Sequence, residues 1–370
     1  MNAEAVLDAL SQVLAPGSDE SIVALGYVKD IDAGDAPSFR VEFPGPLTPA
    51  RQGIEARCRE ALGEAGAGAQ VRIESRIPAT FAGTEGKPSL APGVKNFVAI
   101  GSGKGGVGKS TVAINVAIGL AKAGAKVGLL DADVYGPSVP LLLDVSQQAY
   151  MEELQLRQQE EPAPAGQPPR LFPYEKYGIK AMSMGFLVPP EQAAIWRGPM
   201  VHSALTQLLR DVEWGELDYL ILDLPPGTGD VQLSLGQAIP LAGAAIVCTP
   251  QPVALADARK ALGMLRKTET ECLGMVQNMA YHACEKCGHE DDVFGQRGAE
   301  DAASEWGIPF LGSLPLDREV RISGDQGRPV LAREEGGPIA DALWNVVDRL
   351  TTVLASKVRA RPRTLPISRS

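Results

Sequence analysis

Cysteine is scarce in this chain. Five residues of 370, Cys58, Cys248, Cys272, Cys284 and Cys287, make an odd number with a single close pair. That argues against a disulfide framework and leaves metal or redox chemistry for the pair. Positive charge is also in deficit, with 35 Lys+Arg against 45 Asp+Glu and a formal net charge of −10. Without a basic field to release counterions, nucleic acid is not expected as a partner. Long apolar runs are missing as well. The longest, Leu233 to Val247, is interrupted by Gly236, Pro240 and Gly243, so it reads as helix, turn and strand, and no membrane partner is expected. The start, Met1-Asn2-Ala3-Glu4-Ala5, lacks the cationic head and apolar core of an export signal, which predicts a cytoplasmic protein.

Apolar residues are plentiful, at 45% against 22% charged, enough for a sizeable core and against wholesale disorder. A chain of this length suggests two domains at ~150 residues each. Residues 1–77 read as a small α+β domain. Val6, Leu7, Leu10, Val13 and Leu14 lie at helical spacing, Ile22 to Val28 and Ser38 to Phe43 read as strands, Ile54, Cys58 and Leu62 recur every four residues, and Gln70 to Ser75 alternates. Residues 78–94, rich in breakers and without a period, read as a linker.

From 95 to 357, short apolar runs alternate with helical patterns. Phe97 to Ile100, Val127 to Leu130, Tyr219 to Leu222, Ala244 to Cys248, Leu273 to Val276 and Phe310 to Leu314 are the candidate strands. Runs apolar throughout belong to strands covered on both faces, so the expected class is α/β, a mostly parallel sheet flanked by helices. Ser146 to Pro173 departs from the rhythm and reads as a helix followed by a mobile loop. Residues 358–370 are basic and proline-containing and read as a flexible tail.

The stretch Gly101-Ser102-Gly103-Lys104-Gly105-Gly106-Val107-Gly108-Lys109-Ser110-Thr111 follows a strand and precedes a helical pattern at Val112, Val116 and Leu120. Gly-x-x-x-x-Gly-Lys-Ser between strand and helix is a phosphate-binding loop. Backbone N–H groups between Gly103 and Thr111 cradle the phosphates, the helix N-terminus adds partial positive charge, Lys109 reaches the terminal phosphates and Ser110 ligates Mg²⁺. Two strands end in carboxylates at the sheet edge where ligands bind: Asp131-Ala132-Asp133, and Asp223 before Leu224-Pro225-Pro226-Gly227-Thr228-Gly229-Asp230. An aspartate closing an apolar strand is the Walker B arrangement, so Asp223 is expected to hold Mg²⁺ through its water shell, with the Pro-Pro-Gly-Thr-Gly run as a switch.

Tyr281-His282-Ala283-Cys284-Glu285-Lys286-Cys287-Gly288-His289 holds the close cysteine pair. Two thiolates can grip one metal or two corners of a cluster, but they do not close a site. His282 and His289 would crowd a tetrahedral metal, and Cys58, Cys248 and Cys272 look like core thiols. A second copy of the pair across a two-fold axis fits best. Zinc, a [4Fe–4S] cluster and a redox disulfide stay open on spacing alone.

Lys104, one residue after the loop's first glycine, is not needed by an ordinary phosphate loop. With it, the stretch resembles the deviant subclass typified by MinD, the nitrogenase iron protein and the arsenical pumps. The resemblance implies an ATP-dependent homodimer in which Lys104 reaches the partner's nucleotide, Asp133 orients the attacking water and Asn278 contacts adenine. Adding Ser183-Met184-Gly185-Phe186, Trp196-Arg197-Gly198-Pro199, Thr249-Pro250-Gln251, Gln277-Asn278-Met279 and the cysteine pair, the chain from Val94 to Val330 is similar to the Mrp/ApbC family of iron–sulfur cluster carriers. This implies an ATPase that binds a [4Fe–4S] cluster between protomers on Cys284 and Cys287. It would exchange the cluster with scaffold proteins and apo-protein acceptors. Residues 1–77 resemble Mip-type assembly domains. Where relatives often carry a cysteine this chain has Phe43-Pro44-Gly45-Pro46-Leu47-Thr48-Pro49, which favours a docking role there over metal binding.

The alternative is a MinD/ParA-like positioning ATPase with a structural zinc. Its membrane helix would be sought at Ala340 to Val358, where Leu343, Val346, Val347, Leu350 and Leu354 share a face. A core-packed closing helix gives the same stripe.

Overall fold

The computed structural model describes residues 1–79, 90–189, 198–227, 239–284, 286–296 and 298–360. Most of the expected linker, Trp196 and Arg197, the Thr228-Gly229-Asp230 end of the switch and residues 361–370 lie outside the described residues.

The N-terminal unit runs α1 (Ala3–Leu10), β1 (Val28–Asp32), β2 (Ser38–Phe43), α2 (Pro49–Gln52), α3 (Ile54–Ala61) and β3 (Gln70–Ser75). Asn2 caps α1, its Oδ1 accepting from the Ala5 N–H at 2.8 Å, as a short polar side chain does at a helix start. The sheet order is β1-β2-β3, with β1 antiparallel and β3 parallel to β2. Val6, Leu10, Ile22, Val41, Ile54 and Cys58 form its core.

The expected strand Ile22 to Val28 is corrected. Only Val28 joins β1, while Ile22–Gly26 is a turn in which Leu25 N–H donates to Ser21 O and Ser21 Oγ accepts from Ala24 N–H. The serine offers the backbone a local partner, and that outweighs the β propensity of the apolar run.

The second unit contains β4 (Phe97–Ser102), α4 (Lys109–Lys122), β5 (Val127–Asp131), α5 (Val139–Leu142), α6 (Gln147–Glu160), β6 (Tyr174–Lys176), β7 (Ile179–Ser183), α7 (Gly198–Asp211), β8 (Tyr219–Asp223), β9 (Leu241–Cys248), α8 (Pro252–Lys267), β10 (Cys272–Gln277), β11 (His282–Ala283), β12 (Glu290–Asp291), α9 (Gly298–Trp306), β13 (Phe310–Ser313), α10 (Arg318–Asp325) and α11 (Pro338–Ala360). The sheet order is β13-β10-β9-β4-β8-β5-β7-β6. Every pair is parallel except β6–β7. β4, β5, β8, β9 and β10 are buried almost throughout, as strands covered on both faces must be. β6 and β7 were not anticipated, because Lys180 breaks the apolar run; its ammonium donates to Trp214 O at 2.9 Å.

After α6, the segment expected to be a mobile loop is anchored at its end. Phe172 is buried, with the Arg157 and Arg170 guanidinium carbons 4.8 and 5.0 Å from its ring centroid, and Tyr150 Oη donates to Phe172 O at 2.9 Å. Stacked cations and a buried hydroxyl supply what the sequence pattern does not display.

The stripe Leu343, Val346, Val347, Leu350 and Leu354 of α11 is wholly buried, as a core-packed closing helix requires. Among the described residues, no helix is long and apolar enough to cross a membrane.

The opposite side of α11 receives the N-terminal unit. Arg51, 1% exposed, lies against Asp348, with Nε 3.1 Å from Oδ1. Its terminal nitrogens donate to Pro46 O, Thr351 Oγ1 and Thr352 Oγ1, and Thr48 Oγ1 donates to Asp348 at 2.7 Å. Burial lowers the arginine's pKa and raises the aspartate's despite their attraction, so desolvation outweighs the Coulomb term for each charge. Such a pair specifies how two surfaces fit more than it stabilises them. Arg51→Ala should therefore destabilise the protein by about 3–5 kcal/mol by stranding Asp348, whereas Arg51→Met with Asp348→Leu should recover most of that loss. Urea unfolding midpoints check both, and an Arg51→Ala midpoint equal to wild type would mean that solvent reaches the pair.

Candidate functional site

β4 sits at the middle of the sheet, and the phosphate loop leaves its C-terminal end directly into α4. Two glycines are sterically required there. A Cβ on Gly103 would collide with the backbone of Asp257 in α8, and one on Gly108, which has φ +83°, would collide with the Asn278 amide. Ser102 Oγ tightens the turn by donating to Lys104 O at 2.9 Å.

Lys109 opens α4 and is almost buried. Its ammonium lies 2.5 Å from Asp223 Oδ1 and 3.1 Å from Ser110 Oγ. Asp223 ends β8 and Asp131 ends β5, and the two are in register on neighbouring strands. Asp131 accepts from Asp133 N–H, Val139 N–H and Ser183 Oγ at 3.1–3.2 Å. Burial and the Asp223 charge push Asp131 up to about 8, and burial, opposed by Lys109, raises Asp223. The Lys109 ammonium thus pairs with Asp223, while the desolvated Asp131 beside it is held by neutral donors. The other oxygen of Asp223, Oδ2, is buried with no hydrogen-bond partner. An orphaned carboxylate oxygen beside a serine hydroxyl suits a hard, water-bearing cation such as Mg²⁺.

Asp133 follows on the loop after β5. It accepts from Gly136 N–H at 3.3 Å, and burial raises its pKa. Asn278, after β10, donates from Nδ2 to Val107 O at 2.8 Å. Asp133, Asn278 and Lys109 line a cavity of about 880 Å³ that also takes in Lys104, Gly105, Gly106, Gly108, Ser110, Thr111, Met279, Leu316 and Arg321. That is ample for a nucleotide. Lys104 Nζ lies 3.5 Å from Gln251 Oε1 and has no carboxylate partner among the described residues.

Sequence reasoning passed over two contributions. Asp131 opens the Asp131-Ala132-Asp133 run, but its role as an anchor for three donors emerges only once β7 delivers Ser183. The wall formed by Pro315–Asp317 and α10 lies some two hundred residues from the phosphate loop, with no local pattern to announce it.

The cysteine pair is held apart from the core on a small hairpin, β11 with β12. Cys284 N–H donates to His289 O at 2.9 Å and Gly288 N–H donates to Cys284 O at 2.8 Å. Cys287 is exposed and Cys284 half-buried. Backbone N–H groups of Lys286 and Cys287 bond the Cys284 sulfur and lower its pKa, which favours the thiolate that binds metals. By contrast, burial pushes Cys58 and Cys248 up to about 12 and Cys272 to about 11, the behaviour of inert core thiols. Among the described residues, no group of three or more His, Cys, Asp or Glu is placed to hold a metal. Among those residues, the pair in one chain has no third such side chain beside it.

Comparison with known proteins finds two family matches. Residues 93–351 match the NUBPL iron-transfer P-loop NTPase family and residues 3–75 match an iron–sulfur cluster assembly protein family. The iron–sulfur cluster carrier protein of Deinococcus radiodurans is 42% identical over 98% of this chain and 99% of its own length. The iron–sulfur cluster transfer protein NUBPL of Dictyostelium discoideum is 47% identical over 67% of this chain and 73% of its own. A nucleotide-binding protein from Archaeoglobus fulgidus, solved in complex with ADP, superposes with a TM-score of 0.53 at 38% identity, covering 66% of this chain and 90% of that one.

Lys109→Met should weaken Mg-ATP binding by roughly 10- to 100-fold, the worth of a charge-assisted contact to phosphate. The protein should stay folded, because a proton shared between Asp131 and Asp223 can replace the lost cation. Calorimetry with a parallel circular dichroism spectrum checks this, and wild-type affinity in the variant would remove Lys109 from the phosphate cradle.

Proposed function

This chain belongs to the family of iron-transfer P-loop NTPases, and from that premise we propose that it is an ATP-binding, ATP-hydrolysing carrier of [4Fe–4S] clusters that works as a homodimer. The cluster is its cargo, held by Cys284 and Cys287 from each of two copies and passed between scaffold proteins and apo-protein acceptors. The observation that carries this reading is the surface hairpin with two accessible thiols, rooted in the segment that walls the nucleotide cavity.

Each residue then has a task that its surroundings allow. The backbone from Gly103 to Gly108 and the start of α4 at Lys109, Ser110 and Thr111 receive the phosphates, a role suited to N–H groups converging at a helix N-terminus. Lys109 exchanges Asp223 for the terminal phosphates. Ser110 and the freed Asp223 would hold Mg²⁺, which when bound neutralises charge on the phosphates. Asp133, at the cavity wall, orients the attacking water. Asn278 turns from Val107 O to the adenine, and Lys104, at the mouth, reaches the nucleotide of the second copy.

Two thiols per chain make the four-thiolate site a property of the pair. Opening the dimer therefore splits the ligand set, which is how hydrolysis gates transfer. The N-terminal unit, with no cysteine other than buried Cys58, serves as a docking surface for the protein partners. Unpaired thiols throughout suit a reducing cytoplasm.

Reconstituted anaerobically, the protein should carry about four iron and four sulfide per two chains. Cys284→Ala should lose the cluster and its visible absorption while keeping nucleotide affinity. About one zinc per two chains in place of iron would make the pair a structural staple and overturn the carrier reading.

A further inference from the structure

The cysteine hairpin and the nucleotide cavity are joined by a short, continuously bonded stretch of backbone. At one end Asn278 touches the phosphate loop, its amide on Val107 O and packed against Gly108. Next comes Met279, a non-glycine residue with φ +55°. This conformation costs roughly 1–2 kcal/mol and persists only where the surroundings hold it. Beyond it, Ala280 N–H donates to Leu314 O at 2.9 Å and Leu316 N–H donates to Tyr281 O at 2.7 Å. His282 closes the ladder, its Nδ1 lying 3.1 Å from Leu316 O. A carbonyl can only accept, so Nδ1 carries the proton. Cys284 follows two residues later. Both rails of this ladder face the cavity, one through Asn278 and Met279, the other through Pro315, Leu316 and Asp317.

We propose that the ladder Asn278–His282 against Leu314–Leu316 transmits nucleotide occupancy to the Cys284–Cys287 hairpin, with His282 as the positioning residue that latches the hairpin to the cavity wall. The inference rests on the nucleotide reading above and specifies how that site is regulated. A ligand shifts a conformation only through differential contacts, and Asn278 supplies them. Its amide donates to Val107 O, and a bound base would compete for it. Movement of Asn278 cannot dissipate at the strained Met279, because the ladder fixes the chain on its far side. The hairpin turns as a unit. His282 determines whether it follows, since the hairpin's own hydrogen bonds, from Cys284 to His289 and from Gly288 to Cys284, are internal to it.

The test uses the full-length, cluster-free, reduced protein, dilute enough that light scattering reports single chains with and without nucleotide. Iodoacetamide alkylation of Cys284 and Cys287 is timed by mass spectrometry in the presence and absence of Mg-ADP, with calorimetry establishing that nucleotide is bound. Wild-type alkylation rates should change by about fivefold or more on saturation, the lower end of typical coupling between sites. His282→Ala should bring that ratio to near one at unchanged ADP affinity. His282→Asn, whose side-chain amide can donate to the same carbonyl, should retain it, an outcome that a merely structural histidine would not give. Wild-type thiols indifferent to bound ADP would overturn the ladder while leaving the carrier reading intact. Absence of ADP binding would instead overturn the reading beneath it. A full response in His282→Ala, or its loss in His282→Asn, would overturn the latch.

Discussion

Two buried carboxylates side by side, one of them paired with the Lys109 ammonium, set the terms for the whole nucleotide site. Asp131 and Asp223 end adjacent parallel strands in register, and both are fully buried. Two such groups cannot both stay ionised in a poorly solvated place without a cation, and Lys109 pairs with one of them, Asp223. Its attraction to Asp223 draws the first turn of α4 onto the sheet edge. That contact helps hold the phosphate loop in its curved posture. On the proposed reading, a nucleotide would enter a formed cradle and its phosphates would take over a lysine that is already in position. The arrangement spends folded-state stability on readiness, as functional sites commonly do.

The sheet order explains why so many separate segments meet at this edge. With β4 between β8 and β9, and β5 and β10 one strand further out on either side, the C-terminal ends of five strands converge. Parallel pairing makes that convergence automatic. Behind the sheet, α11 serves two surfaces at once. Its apolar face packs into the core through Leu343, Val346 and Val347, while Asp348, Thr351 and Thr352 on another face hold Arg51 of the N-terminal unit. The N-terminal unit is thus tied to the helix that completes the larger core.

Much of this was legible from residue order because the informative features are local. The phosphate loop is an unbroken motif in its strand and helix context, and the six apolar runs expected as strands are all strands of the large sheet. Errors arose where tertiary contacts outvote local pattern. Ile22–Gly26 looked like a strand but follows a serine that caps a turn. β7 was missed because Lys180 interrupts its apolar run, although the lysine stem lies along the protein and only its ammonium seeks an oxygen. The loop before Phe172 looked loose because cation stacking leaves no periodic trace. Arg51 and Asp348, nearly three hundred residues apart, were illegible for the same reason: each looks like an ordinary surface charge until the other is placed beside it.

The deeper constraint on the carrier reading is one of number. A chain that supplied four thiolates would hold a cluster as a resident group, since each ligand raises the effective concentration of the next. A chain that supplies two, on a hairpin at the surface, holds it tightly only while a second chain stands opposite. On the proposed carrier reading, affinity for the cargo would be a function of the distance between protomers, and nucleotide bound near Lys104 and Lys109 would control that distance. The three core thiols are consistent with the same logic. Cys58, Cys248 and Cys272 are buried and kept protonated by desolvation, so on the proposed reading they would offer a departing cluster no alternative ligand, and exchange would lead outward from Cys284 and Cys287.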